Sequence, residues 1–307
     1  MFATSTTGNH LPLTAKKARL SDHIQLHFIV LLYGFTAILG KLVSIEAMEL
    51  VVYRMTLAAL AIGLYHCFKG QGKSMSSRDF ALTAFTGGVV ALHWILFFAA
   101  VNVSNVSVTL GCMASGTLFT SLLEPILERR RPYLLEILLG IAVLLGLYVI
   151  TQFAFDYYLG IIYALLSAFL AAVFTVLNRG LTQRNEATKI SLLEMIFGAL
   201  SVYLAIVILG VEMKGPLNLP VADYLWIPVL AFACTAYAFV ATVHLMKRVS
   251  AFTVALVINL EPVYGIILAF FIFGNSEMMN NGFYIGALII LASIILYPIL
   301  KKRFSVH

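Results

Sequence analysis

Apolar residues in this chain come in long runs instead of stripes. Ten segments, at about 24–42, 49–68, 80–101, 104–126, 133–151, 158–178, 189–210, 223–246, 250–273 and 283–300, each hold close to 20 residues with few charges. A hydrocarbon core about 30 Å thick takes roughly 20 helical residues to cross, and a helix satisfies its own backbone there. The pattern predicts an all-α polytopic membrane protein with ten transmembrane helices. The connections are too short for a soluble domain, and the gap Asn102 to Val103 is the narrowest break.

One polar interruption stands out. Glu261-Pro262 lies within the apolar run Phe252 to Phe273. A charge at bilayer depth is costly and a proline frees a backbone carbonyl, so the pair belongs where protein or a polar cavity surrounds it. On a helical face Glu261 shares its side with Val254, Val257, Tyr264, Gly265 and Leu268. Pro262 removes the bond to the carbonyl of Ile258 and predicts a kink. Asn259 adds a polar group, so Glu261, Asn259 and Tyr264 are candidates for a substrate path, with Glu261 a cation partner or proton carrier. A structural pair between Glu261 and another helix is the alternative.

Composition agrees with the pattern: of 307 residues 61% are hydrophobic and 11% charged, with mean hydropathy +0.97, where soluble domains carry roughly 25% charge. The distribution of basic residues adds an orientation. Seventeen of the 20 Lys and Arg fall in the N-terminal tail, the even-numbered loops and the C-terminus, and Lys214 alone falls in the opposite loops. Basic loops stay on the cytoplasmic side, so both termini are expected in the cytoplasm of a cell whose inner membrane holds the chain. No contiguous basic face exists for nucleic acid. Cys67, Cys112 and Cys234 are scattered without metal-ligand spacing, so neither a metal nor a cofactor is expected.

A shift of about 140 residues superimposes the chain on itself. Arg54 falls on Glu194, Lys41 near Arg179 and Thr117 on Pro262. The expected organisation is a tail at 1–22, a first repeat at 23–151 and a second at 152–307. Five crossings per repeat invert the second copy, an architecture of secondary transporters.

Other polar positions carry two readings each. Arg54 is a substrate fork or a holder of a helix carbonyl, and Glu194 shares that choice; Lys41 is a gate or a snorkelling helix end, as is its counterpart Arg179. His93 beside Trp94 is a proton carrier or a hydrogen-bonded packing group. Ser115, Gly116 and Thr117 stand opposite Glu261-Pro262 by repeat symmetry and serve close packing or binding. Trp94, Phe119, Tyr237 and Tyr264 are candidate aromatic walls. Glu124-Pro125 reads as a helix terminus. Gly282 with Gly286, and Ala164, Ala168 and Ala172, offer small-residue faces for helix packing, leaving monomer and homodimer open.

The run Ala255-Leu256-Val257-Ile258-Asn259-Leu260-Glu261-Pro262-Val263-Tyr264, with Gly274 at the end of the same helix, resembles the second-repeat signature of the EamA family in the drug/metabolite transporter superfamily. Lys41, Arg54 and the stretch Leu245-Met246-Lys247-Arg248-Val249-Ser250 fit the same pattern. Family members often have Gly-Glu where this chain has Gly274-Asn275, and proline where it has Thr117. The resemblance implies an exporter or facilitator of small metabolites, commonly amino acids or their relatives, working by alternating access within membrane lipid. Proton coupling and passive flux both stay open. Gly72-Lys73-Ser74 lacks the first glycine and the strand of a phosphate-binding loop, so an ATP-driven pump is excluded. An intramembrane hydrolase using Ser115 and His93 is a remote alternative, since Met113 stands where such a site carries glycine.

Overall fold

The computed structural model describes residues 20–69, 74–128, 133–153, 155–249, 254, 257–258 and 260–304. Within these residues the chain is helical: α1 (Leu20–Leu42), α2 (Ala47–Lys69), α3 (Ser77–Val103), α4 (Val106–Met113), α5 (Gly116–Glu128), α6 (Leu134–Phe153), α7 (Tyr158–Thr182), α8 (Ala187–Leu209), α9 (Asp223–Ala231), α10 (Ala238–Leu245), α11 (Glu261–Phe273) and α12 (Asn281–Phe304). Seven stretches among the described residues are long and apolar enough to cross a membrane; Ile137–Ile150 and Asn281–Ser293 are shorter apolar ones. The ninth expected run lies partly outside the described residues.

Local chemistry sets the boundaries. Ser76 caps α3 by accepting from the Asp79 amide at 3.1 Å, and Asn105 caps α4 by accepting from the Val108 amide at 2.8 Å; each satisfies an orphan donor of the first turn. The narrow break expected at 102–103 therefore falls at Ser104 and Asn105, where the cap residue is. Gly210 ends α8 in the left-handed region at φ 64°, which glycine enters without cost. Pro125 lies inside α5, about a turn before its end, so the expected terminus comes slightly later.

Two spans are broken in ways the apolar pattern does not reveal. The fourth span divides at Ala114 and Ser115 into α4 and α5. Between α9 and α10 the backbone winds as a π-helix over Phe232–Tyr237, a form concentrated at functional sites.

Three pairs of counterpart helices pack against each other across the two halves. The helices α2 and α8, both 23 residues long, lie against each other, as do α6 and α12, and α4 and α11. Met55 meets Gly198 while Gly63 meets Leu192, and Gly146 meets Ile290 while Ile150 meets Gly286. Sequence rises along one helix as it falls along its partner, so the counterparts run antiparallel. A side-chain carbon at Gly286 would stand 2.6 Å from the carbonyl oxygen of Gly146, so only small residues allow this approach. The Gly286 face therefore packs within the chain. Ala164, Ala168 and Ala172 on α7 are likewise buried.

Candidate functional site

Where α1, α2, α3, α7, α10 and α11 converge on the α4–α5 break, a cavity forms, lined by Tyr33, Arg54, His93, Trp94, Asn178 and Glu261 with apolar neighbours. Its volume is about 100 Å³, several times the roughly 10–15 Å³ that one water needs. Six of the polar or aromatic groups that line it come from five different helices, so both halves of the chain contribute to its walls.

Arg54 is 1% exposed and held on three sides. Its Nε donates to Thr235 Oγ1 at 2.6 Å, and its guanidinium lies 3.7 Å from the Trp94 ring centroid and 5.6 Å from that of Phe98. Thr235 in turn donates to the Leu230 carbonyl, five residues back, at 2.8 Å, a bond that the π turn brings into reach. Nη1 has no partner. A buried guanidinium nitrogen without an acceptor is expensive, and a carboxylate or other anion in the cavity relieves that cost.

Glu261 opens α11 at the cavity wall, 9% exposed, with Pro262 beside it in the first turn. A proline there lacks only an N–H that is orphaned in any case, so the expected kink takes the form of a helix start. The N-terminal end of the helix dipole favours a carboxylate by about 0.3–1 kcal/mol, more when partly buried. Arg54, Glu261 and Tyr33 lie within electrostatic reach of one another. The cavity thus holds a guanidinium and a carboxyl group in one chamber.

The remaining candidates divide. His93 lines the cavity while its Nδ1 lies 2.9 Å from the Ser167 carbonyl oxygen and 2.8 Å from Ser167 Oγ, which donates to the His93 carbonyl. Ser115 and Thr117 are buried, their hydroxyls without partners, on either side of the lining residue Gly116. Glu194 is 0% exposed and stands behind the wall, accepting from Asn178 Nδ2 at 3.4 Å. Tyr264 does not line the cavity; its neighbour Gly265 packs against Gly34 of α1. Tyr237 is 46% exposed, edge-on to Phe28, and faces outward. Asn259 lies outside the described residues.

Lys41 and Arg179 act at helix ends. Lys41 Nζ donates to Glu277 Oε1 at 2.6 Å, and the Glu277 carboxylate also accepts from the Ser107 amide and hydroxyl, each at 2.9 Å, at the start of α4. Glu277 is thus a buried acid in the turn Gly274–Glu277 that follows α11. Arg179 donates to the Met246 carbonyl.

A further pair of clasps was not anticipated. Asp79 at the start of α3 accepts from Arg184 Nη2 at 2.8 Å and Nε at 3.2 Å and from Asn185 at 2.8 Å. Asp223 at the start of α9 accepts the Ser44 amide at 3.1 and 3.2 Å. In each case the third span of one repeat grips the loop between the first two spans of the other, at opposite ends of α2. Hydrogen bonding to Asp79 holds the Arg184 guanidinium above its ordinary range. The 140-residue shift that pairs Arg54 with Glu194 also pairs Ser44 with Arg184, and that was the signal available in the sequence. Tyr33, whose hydroxyl lies 2.8 Å from Thr242 Oγ1, and Asn178 had no such signal among so many aromatic and small polar residues.

Comparison with known proteins accords with this architecture. A solved structure described only as a crystal structure of a protein is similar over 94% of this chain and 100% of its own, with a TM-score of 0.71 at 16% identity; the likeness is one of fold. No curated protein matches in sequence. The family model for EamA-like transporters matches residues 24–152 and 158–297. A multi-pass helical chain with two such matches belongs to the EamA-like transporter family, whose members are membrane transporters of small solutes and not enzymes.

Proposed function

We infer that the chain is a secondary transporter that crosses the membrane ten times as two inverted five-helix repeats, with both termini in the cytoplasm. It exports a small metabolite, an amino acid or a related compound, by alternating access. Arg54 takes the substrate's carboxylate through its free Nη1, Glu261 takes a cationic group, and Trp94 packs against the ligand.

The observation that carries this reading is the unpartnered Nη1 of Arg54 at 1% exposure in a chamber shared with Glu261. Helix breaks adjoin that chamber at Ala114–Ser115 and at Glu261, with the π turn beside Arg54. Discontinuous helices near the midplane, gathered at a repeat interface, are how transporters present binding groups without exposing backbone to lipid. On the topology above, Lys41–Glu277 closes the outer end and Asp79–Arg184 the inner end.

The test is flux of labelled amino acids in proteoliposomes. Saturable flux, accelerated by the same solute on the opposite side, is expected of alternating access. Flux that lacks this acceleration contradicts it and favours a passive facilitator.

A further inference from the structure

Glu194 and Asn178 leave complementary atoms unsatisfied. Glu194 Oε2 accepts from Asn178 Nδ2 at 3.4 Å, while Glu194 Oε1 and Asn178 Oδ1 are both buried with no hydrogen-bond partner. Both residues are 0% exposed. A carboxylate and a primary amide are planar groups of matching size, and they are short of one hydrogen between them. A proton on Oε1 makes Glu194 a neutral acid whose O–H donates to Asn178 Oδ1, while Asn178 Nδ2 donates back. One proton satisfies two orphan atoms at once.

Backbone and an amide are what the neighbouring helices α3 and α7 bring to it. On α3 its neighbour is the backbone of Gly87, so close that a side-chain carbon at Gly87 would lie 2.6 Å from the Glu194 carbonyl oxygen. On α2 the approaching side chain is Met55, against Gly198 one turn further along α8. On α7 it is Asn178 itself, and on α8, Ser191 one turn before Glu194 has an unpartnered hydroxyl. The hydrogen bond that reaches Glu194 comes from Asn178. A lone ionised carboxylate in such a place is disfavoured.

We propose that Glu194 and Asn178 form a proton-binding site next to the substrate chamber, with Glu194 carried as the neutral acid in this conformation. Asn178 lines the chamber and Glu194 lies directly behind it, so a rearrangement that parts the two exposes the acid to cavity water. The Oε1–H bond then breaks and its proton passes to that water; a proton taken up on the return restores the pair. Nothing is oxidised or reduced. The consequence for flux, a pH gradient driving the cycle, rests on the transporter reading, whereas the proton site itself does not.

Two readouts separate these claims. Infrared spectra of the purified protein in nanodiscs report the carbonyl stretch of a neutral, water-shielded carboxylic acid. That band is expected in the wild type at neutral pH, lost in Glu194→Gln, shifted in Asn178→Leu and retained in Glu261→Gln. A spectrum unchanged by Glu194→Gln overturns the site. Glu194→Gln keeps the pairing, since its amide donates to Asn178 Oδ1, so it folds and exchanges solute across proteoliposomes at wild-type rate while losing acceleration by an imposed pH gradient. Undiminished acceleration overturns the coupling role. Absence of solute flux in the wild type overturns the transporter reading and leaves the infrared result to decide the proton site.

Discussion

Arg54 and Glu194 occupy the same place in the two repeats, on helices that begin at Ala47 and Ala187 and lie against each other, yet they are buried in opposite ways. Arg54 is turned into the chamber, stacked on Trp94 and anchored through Thr235, with one nitrogen free. Glu194 is withdrawn behind Asn178, outside the lining. The two equivalent helices each carry an ionisable residue seven positions from their start, and packing turns one into the cavity and shields the other. The difference teaches that repeat symmetry fixes where a polar residue enters the membrane, while its neighbours fix what it meets there.

The clasps at the two ends show the same divergence. Asp223 is 0% exposed and accepts a backbone amide; Asp79 accepts a guanidinium whose side chain is 56% exposed. An ion pair with one solvated partner contributes about 0–1 kcal/mol. The Lys41–Glu277 pair differs, because the Glu277 side chain is 0% exposed, and removing one member of a buried pair costs about 3–5 kcal/mol.

The largest expected effect on ligand binding lies on the Arg54 side of the comparison. A hydrogen bond to a charged group contributes about 1.5–3 kcal/mol, so Arg54→Ala should weaken substrate binding roughly 10- to 150-fold, measured by titration calorimetry; Arg54→Lys recovers part of the loss because it restores charge without the fork. The largest expected effect on folding stability is that of Glu277→Ala, for which denaturant unfolding should report a loss of about 3–5 kcal/mol as the Lys41 and Ser107 contacts go together. Asp79→Ala should cost about 1 kcal/mol or less by the same measurement. The Arg184 side of that clasp is raised in pKa, so its contribution is fully present below the ordinary arginine range and fades only as pH climbs through the raised value; an unfolding midpoint flat across neutral pH is the expected record. Smallest is Tyr237→Ala, an outward-facing position at which flux and stability should stay within about 0.5 kcal/mol of wild type.

Much of this architecture was legible in the chain because bilayer crossing imposes length and polarity on each helix, which is why the end of the first helix at Leu42 could be read from the sequence. The break at Ala114–Ser115 and the π turn at Phe232–Tyr237 could not, since both lie inside apolar runs and change no composition. Arg54, Glu261, His93 and Trp94 were visible as rare polar or bulky groups at depth, and the structure brings them to one cavity. Tyr237 was chosen by residue type and faces outward, whereas Tyr264 was chosen because it shares Glu261's helical face and yet stands outside the lining. Asn178, Thr235 and Glu277 escaped notice because their meaning lies in partners on distant helices.

The most direct test of the central claim, a substrate held between Arg54 and Glu261 at the repeat interface, is a thermal-shift screen of amino acids and related metabolites against wild type, Arg54→Ala and Glu261→Gln in the same detergent. A ligand stabilises the state it binds. The account predicts that at least one solute raises the unfolding temperature of the wild type and leaves both folded variants unmoved; a ligand that stabilises all three equally would contradict it.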